Sequence, residues 1–506
     1  MSFPWLTVIA AVPLAGAVAV ALLPSGRSLL AKQVALGVSL VPLVLTVVMS
    51  LKFDSGSAAA FQFTENHDWI PQFGVSYALG VDGIGLVLIA LTTVLTPVCL
   101  LASWRDAEEG RRSAKAYFAL MLLLEAAMIG VFAATDVFLF YVLFEAMLIP
   151  MYFIIGAYGG AQRSYAAVKF LLYSLFGGLL MLAAVIGLFV VSKGGDHAFL
   201  LQNLVGTHFS PSTERLLFLG FFAAFAIKAP LWPLHTWLPD AAAEAPPGGA
   251  VLLVGVMDKV GTFGMIRLCL PLFPDASKWA APVVITLAVI GILYGALLAI
   301  AQTDLKRLIA YTSISHFGFI TLGIFAMTTQ AQSGSTLYMV NHGFSTAALF
   351  LIAGFLISRR GSRAIDDFGG VQRVAPMLAG TFLVAGLSSL ALPGLSSFVS
   401  EFLVLVGTFT RYEVAAVVAT AGIILASLYI LLMYQRTMTG EPTEETSKLT
   451  DLTPREAWVV APLLAVIIAL GFYPKPVLDV INPAVARTMH QVGQHDPAPS
   501  AEGVGK

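Results

Sequence analysis

The sequence predicts an all-α integral membrane protein of about fourteen transmembrane helices, in two inverted five-helix repeats with broken seventh and twelfth helices. Three observations carry this. Hydrophobic residues fill 58% of the 506 positions and charged residues only 11%, whereas a soluble domain carries about 25% charged residues. Apolar runs of about 20 residues, long enough to cross a bilayer as a helix, recur along the chain. The alternation over about 10 residues that barrel strands would show is absent.

The spans fall near 3–23, 31–51, 79–103, 115–133, 136–157, 166–192, 214–231, 247–269, 279–301, 306–326, 335–357, 376–410, 413–435 and 456–474. The first stretch, Phe3–Leu23, lacks a basic flank and a small-residue cleavage site, so it reads as a retained helix rather than a signal peptide. The seventh span meets Pro230 and Pro233 just after Lys228. The twelfth is interrupted by Leu392-Pro393-Gly394-Leu395 ahead of Glu401. Proline removes a backbone donor and clashes with the preceding turn, so both helices should break there.

The broken spans are five apart in order, an odd offset, so they cross the membrane in opposite directions. That is the pattern of inverted repeats with function at the broken helices. The chain then divides into 1–110 (three helices), 111–270 (helices 4–8), 271–436 (helices 9–13), 437–475 (a loop and the last helix) and a polar tail, 476–506. The end of that tail, from His490, is small, polar and disordered by composition.

Basic residues orient the chain. Even-to-odd connections carry few of them: Lys52, Lys193, Arg215, Arg267, Lys278 and Arg411. The opposite side carries many more, among them Arg105, Arg111, Arg112, Arg359, Arg360 and Arg363. The richer side is expected to be cytoplasmic, so with an even number of spans both termini are expected to face outside.

The net charge of −1 favours neither nucleic acid nor an acidic partner. Cys99 and Cys269 are too few for an iron–sulfur cluster or a disulfide framework. There is no phosphate-binding Walker loop, and no Gly-rich fingerprint lies in a strand–helix setting. No cofactor and no metal are expected in this chain.

The chemistry is expected from ionisable residues inside apolar runs: Glu145 in Phe138–Leu148 (FLFYVLFEAML), Lys228 in Leu216–Leu231, Lys259 in Ala250–Met265, and Glu401. Each charge at a bilayer centre costs roughly 2.5–3.5 kcal/mol on insertion scales. Such groups must be paired, hydrated or neutralised. Glu145 calls for a partner on another helix, and Lys228 is the best candidate. Glu125, one span earlier, is a weaker member of the same site, and His235 would share the face of Lys228 if that helix continued. Lys259 suits a central relay, although adjacent Asp258 points about 100° away and need not pair with it. His316 and His342, in neighbouring spans, can pass protons between two ring nitrogens. Glu401 suits a terminal exchange site. The plainer alternatives are a snorkelling lysine, ion pairs that only hold helices together, and satisfied core histidines.

These residues, in this order, resemble the antiporter-like membrane subunits of respiratory complex I. The motifs that carry the resemblance are Phe140–Phe153 (FYVLFEAMLIPMYF), Lys228–Pro247 (KAPLWPLHTWLPDAAAEAPP), Asp304–Gly318 (DLKRLIAYTSISHFG), Asn341–Gly343 and Ser397–Phe402. The match covers nearly the whole chain. Glu401, where related subunits typically carry lysine, favours the M-type branch. So does the chain's end about 30 residues after its last span, which leaves no room for a long lateral helix.

Two positions depart from the pattern. Ala242 stands where many relatives carry histidine, and Asp258 beside the central lysine is unusual. The resemblance implies a proton-translocating subunit whose partners are the other subunits of that complex, its neighbouring antiporter-like subunits above all, and the lipid bilayer. FMN, iron–sulfur clusters and quinone would sit in those partner subunits. In this chain Glu145 would set the protonation of Lys228, and the proton would pass Lys259 and the His316/His342 region to leave by Glu401. The rivals are a subunit of a multi-subunit cation/proton antiporter and a structural membrane scaffold.

Overall fold

The computed structural model describes residues 3–24, 26–105, 113–192 and 194–497. Lys193, Arg111 and Arg112 of the loop-charge comparison, and the tail beyond 497, lie outside the described residues. In chain order the helices are α1 (Trp5–Leu22), α2 (Ser28–Lys52), α3 (Gly83–Ala102), α4 (Ala114–Ala133), α5 (Val137–Ala146), α6 (Leu148–Tyr158) and α7 (Arg163–Val191). They continue as α8 (Pro211–Lys228), α9 (Trp237–Glu244), α10 (Pro247–Leu272), α11 (Pro274–Ile300), α12 (Leu305–Phe325) and α13 (Thr329–Arg360). The last are α14 (Pro376–Ser389), α15 (Ser396–Phe409), α16 (Glu413–Met438), α17 (Pro454–Phe472) and α18 (Lys475–Val492).

Among the described residues twelve helices are long and apolar enough to cross a membrane, with α5 and α6 taken as one. α8 falls outside that set because Glu214, Arg215 and Lys228 interrupt its apolar run, and α14 and α15 because each is short. The helices richest in small and polar residues are innermost: α10, α12 and α13 are buried over nine-tenths or more of their apolar windows, whereas α1, α2, α16 and α17 show most of theirs to the outside.

Both expected breaks are present. α8 stops at Lys228, and its freed Ile227 carbonyl accepts from Trp237 Nε1 at 2.9 Å. α14 and α15 are separated by Leu390–Leu395, where Gly394 takes a left-handed φ of 91°. The helix ends there are tied by Asn341 Nδ2, which donates to Ser396 O at 2.6 Å, and by the Ser345–Ser388 hydroxyl pair at 2.6 Å.

The all-α class holds, with three local additions. One is a short antiparallel hairpin, β1 (Gln62–Ile70) and β2 (Val75–Val81), between α2 and α3. Its Glu65 Oε1 accepts from the Leu6 and Thr7 amides at 2.8 and 3.2 Å, filling orphan donors at the start of α1. The fifth span breaks at Met147, two residues after Glu145. The supposed polar tail begins with α18, whose Leu478, Ile481, Val485, Met489 and Val492 recur at helical spacing and make one apolar face. Arg487 fastens α18 to the hairpin segment by donating to Ala60 O and Ala59 O at 2.7 and 3.1 Å.

On the basic-rich side, ion pairs tie the two halves of the chain. Arg363, after α13, reaches Glu244 of α9 at 2.7 Å and Asp304, the N-cap of α12, at 2.6 Å.

Candidate functional site

A buried polar axis crosses the helical core. At one end, the carboxylate of half-buried Glu145 in α5 rests on the backbone of Gly178 in α7, where a side chain would occupy the same space. Lys228 occupies the last position of α8, where the negative end of the helix dipole favours a cation. Its Nζ lies 4.6 Å from the centre of the Phe144 ring and 6.0 Å from that of Phe170. Among the described residues neither Lys228 Nζ nor Glu145 Oε1 has a hydrogen-bond partner, yet each lies within the field of the other's charge. The expected pair is therefore near but not closed.

Two weaker candidates sit elsewhere. Glu125 in α4 is fully buried beside Thr96 of α3 and is hydrogen-bonded to neither Glu145 nor Lys228. His235 lies past the helix break, so it does not share a helical face with Lys228. Its ring meets Tyr294 of α11 at 5.1 Å. The nearby charge is Lys169, which pairs with Asp240 at 2.7 Å, and Arg307 completes that cluster at 2.6 Å from Asp240.

At the centre, α10 widens into π turns at Leu253–Met257 and Met265–Cys269, on either side of Lys259. Such turns often mark functional sites. Lys259 and Asp258 are completely buried. Lys259 Nζ donates to Val254 O, inside the first π turn, at 2.5 Å and lies 2.8 Å from His342 Nδ1 of α13. Both Asp258 carboxylate oxygens lack a hydrogen-bond partner among the described residues.

From Lys259 a series of ring contacts leads toward Glu401, in which His342 Nε2 and His316 Nδ1 have no hydrogen-bond partner among the described residues. The His342 and His316 rings meet at right angles, 5.1 Å between centres. His316 of α12 lies 5.8 Å from the Tyr338 ring, and its Nε2 is 3.4 Å from the Tyr429 hydroxyl of α16. Tyr338 in turn donates to Glu401 Oε2 of α15 at 2.9 Å.

The structure thus joins Lys259, His342, His316 and Glu401 in one series and sets Glu145 and Lys228 beside it. The linking tyrosines were missed from sequence. Tyr338 had a signal, since it precedes His342 by four residues and so shares its helical face; Tyr429 had none. Among the described residues no group of three or more His, Cys, Asp or Glu side chains is placed to hold a metal ion.

The arrangement sets protonatable groups one after another within a core of apolar helices, and the chain is similar to known membrane proteins. Residues 134–426 match the family described as NADH:quinone oxidoreductase/Mrp antiporter, and residues 33–131 the amino terminus of NADH-ubiquinone oxidoreductase chain 4. NADH-quinone oxidoreductase subunit M of Mycobacterium tuberculosis is 57% identical over 98% of this chain and 96% of its own length. A chain of respiratory complex I from Thermus thermophilus superimposes with a TM-score of 0.88 at 31% identity, covering 96% of this chain and 100% of that one. A chain of the Mrp complex from Dietzia has a TM-score of 0.85 at 23% identity over 97% and 100%, a likeness of fold alone. The chain therefore belongs to the family of NADH-quinone oxidoreductase subunit M and NADH-ubiquinone oxidoreductase chain 4, the antiporter-like, proton-translocating membrane subunits of respiratory complex I.

Proposed function

We propose that this chain moves protons along its buried axis and holds no redox centre of its own. Quinone reduction by NADH, with its FMN and iron–sulfur clusters, belongs to partner subunits. Glu145 sets the charge state of Lys228, Lys259 relays the proton, His342 and His316 pass it on, and Glu401 releases it. Glu125, His235 and Asp258 are secondary members. The observation that carries this reading is the series of buried groups from Lys259 through His342, His316 and Tyr338 to Glu401, in hydrogen-bond range at its two ends and in ring contact between them.

Lys228 and Glu145 stand without closed hydrogen bonds, as groups do that take up and give up a proton rather than hold two helices together. Moving one charge against 100 mV requires about 2.3 kcal/mol, which redox chemistry in the partners supplies.

The same reading places the chain in a bacterial plasma membrane with both termini outside. It treats α4–α10 and α11–α16 as two inverted repeats, built on residues 111–270 and 271–436, after a three-helix segment, 1–110, and before a loop and the last span, 437–475. The test is proton uptake into inverted membrane vesicles, followed together with NADH-driven quinone reduction, in strains carrying neutral replacements along the axis. Replacements that stop uptake in an assembled complex support the reading. Uptake that survives every one of them defeats it, and uptake driven by membrane potential without NADH would mark a cation/proton antiporter instead.

A further inference from the structure

We propose that Asp258 carries the proton between Lys228 and Lys259, so that Lys228 works between two carboxylates, Glu145 on one side and Asp258 on the other. This rests on the proton-translocating reading above and names a step within it.

Direction comes from packing. Gly261, one turn after Asp258, lies directly on the last turn of α8: a Cβ there would stand 2.6 Å from Phe225 O and 2.7 Å from Ala229 N, the residues that flank Lys228. Gly264 continues the contact against the Phe225 ring, at 2.5 Å for a Cβ. Side chains three apart on a helix share a face, so Asp258 lies on the face that meets α8. Lys259, turned about 100° from it, reaches α13 and His342. The two adjacent residues thus address different halves of the axis.

Asp258 is not a fixed counter-ion of Lys259. Lys259 gives its ammonium to Val254 O and His342, and both Asp258 oxygens, fully buried, accept nothing among the described residues. A buried carboxylate in that condition holds either a proton or a nearby cation. Its charge acts on both lysines.

The transfer balances. The Lys228 ammonium gives its proton to the Asp258 carboxylate, leaving a neutral amine and a neutral acid. The acid then protonates the neutral Lys259 amine and returns to carboxylate, while Lys228 is reprotonated from the side of Glu145.

The test uses the intact complex in native membranes carrying Asp258→Asn, Asp258→Glu or Glu145→Gln. Proton uptake per NADH is measured together with the NADH-induced infrared difference spectrum in light and heavy water. The expected result is at least a tenfold loss of uptake in Asp258→Asn, substantial retention in Asp258→Glu, and loss in Asp258→Asn of one deuterium-sensitive protonated-carboxyl band. Wild-type uptake with that band intact overturns the assignment, and so does equal loss in Asp258→Glu with every band retained. Should Asp258→Asn lower assembly, the spectrum of the assembled fraction decides: band absent supports the step, band present overturns it. If Glu145→Gln also pumps normally, the broader reading has failed. If Glu145→Gln alone stops uptake, only the Asp258 step has.

Discussion

Lys259 of α10 and His342 of α13 stand 2.8 Å apart where neither has any exposure. Two like charges at about 4 Å repel by about 4 kcal/mol at an effective dielectric of about 20. The pair therefore carries one excess proton at a time, as a relay requires. Arginine keeps its charge at any accessible pH, so Lys259→Arg should assemble yet lower proton uptake by at least tenfold. Uptake at the wild-type rate in an assembled Lys259→Arg complex would show that Lys259 never needs to lose its proton.

Tyr338 links His316 to Glu401. Removing only its hydroxyl deletes a hydrogen bond to the Glu401 carboxyl group, typically about 1 kcal/mol, or roughly fivefold in a rate that depends on it. Tyr338→Phe should keep the ring packing and slow proton release by about that factor. Stopped-flow pH indicators on inverted vesicles would measure it. A rate within a factor of two of wild type would remove Tyr338 from the route.

Gly178 is the floor on which the Glu145 carboxylate rests. A methyl group there must push that carboxylate aside, so Gly178→Ala should mimic loss of Glu145 in coupled activity without loss of the assembled complex. Gly380, which has nothing within 4 Å of its would-be Cβ, is the matched control, and Gly380→Ala should behave as wild type. Equal activity in both variants would mean that the position of Glu145 is not critical.

Arg359 at the end of α13 grips Glu456 of α17 through two nitrogens, at 3.1 and 2.5 Å, and also donates to the carbonyls of Thr450 and Asp451. Glu456 completes the capping box with Thr453 that starts α17. Arg359→Ala leaves the buried Glu456 carboxylate with only Arg455, 3.6 Å away, and the Thr453 amide, at a cost of about 1.5–3 kcal/mol for the charged hydrogen bonds lost. Thermal inactivation of the isolated complex should begin at lower temperature, while the assembled fraction pumps normally per NADH oxidised.

The membrane fold and the two proline breaks were legible because proline and apolar length act through local sequence, and Glu145, Lys228, Lys259 and Glu401 stood out as candidates because each is a charge within an apolar run. The hairpin was not: its strands lie in a polar connection, where Glu65 and Asp68 mask the pairing that β2 supplies. α18 was overlooked because polar residues interleave its apolar stripe and dilute hydrophobicity along the sequence. The π turns around Lys259 have no sequence cue as plain as proline. Tyr338 and Tyr429 gain their roles from partners 63 and 113 positions away. Ala242 is completely buried in α9.

The most direct measurement is on native membranes carrying Glu145→Gln, with assembly of the complex verified first. NADH-driven quinone reduction and proton uptake into inverted vesicles are followed together. A redox-coupled proton route that begins at Glu145 and Lys228 predicts loss of both activities in an intact complex. Unchanged reduction and unchanged uptake would contradict it and leave Glu145 as a structural carboxylate.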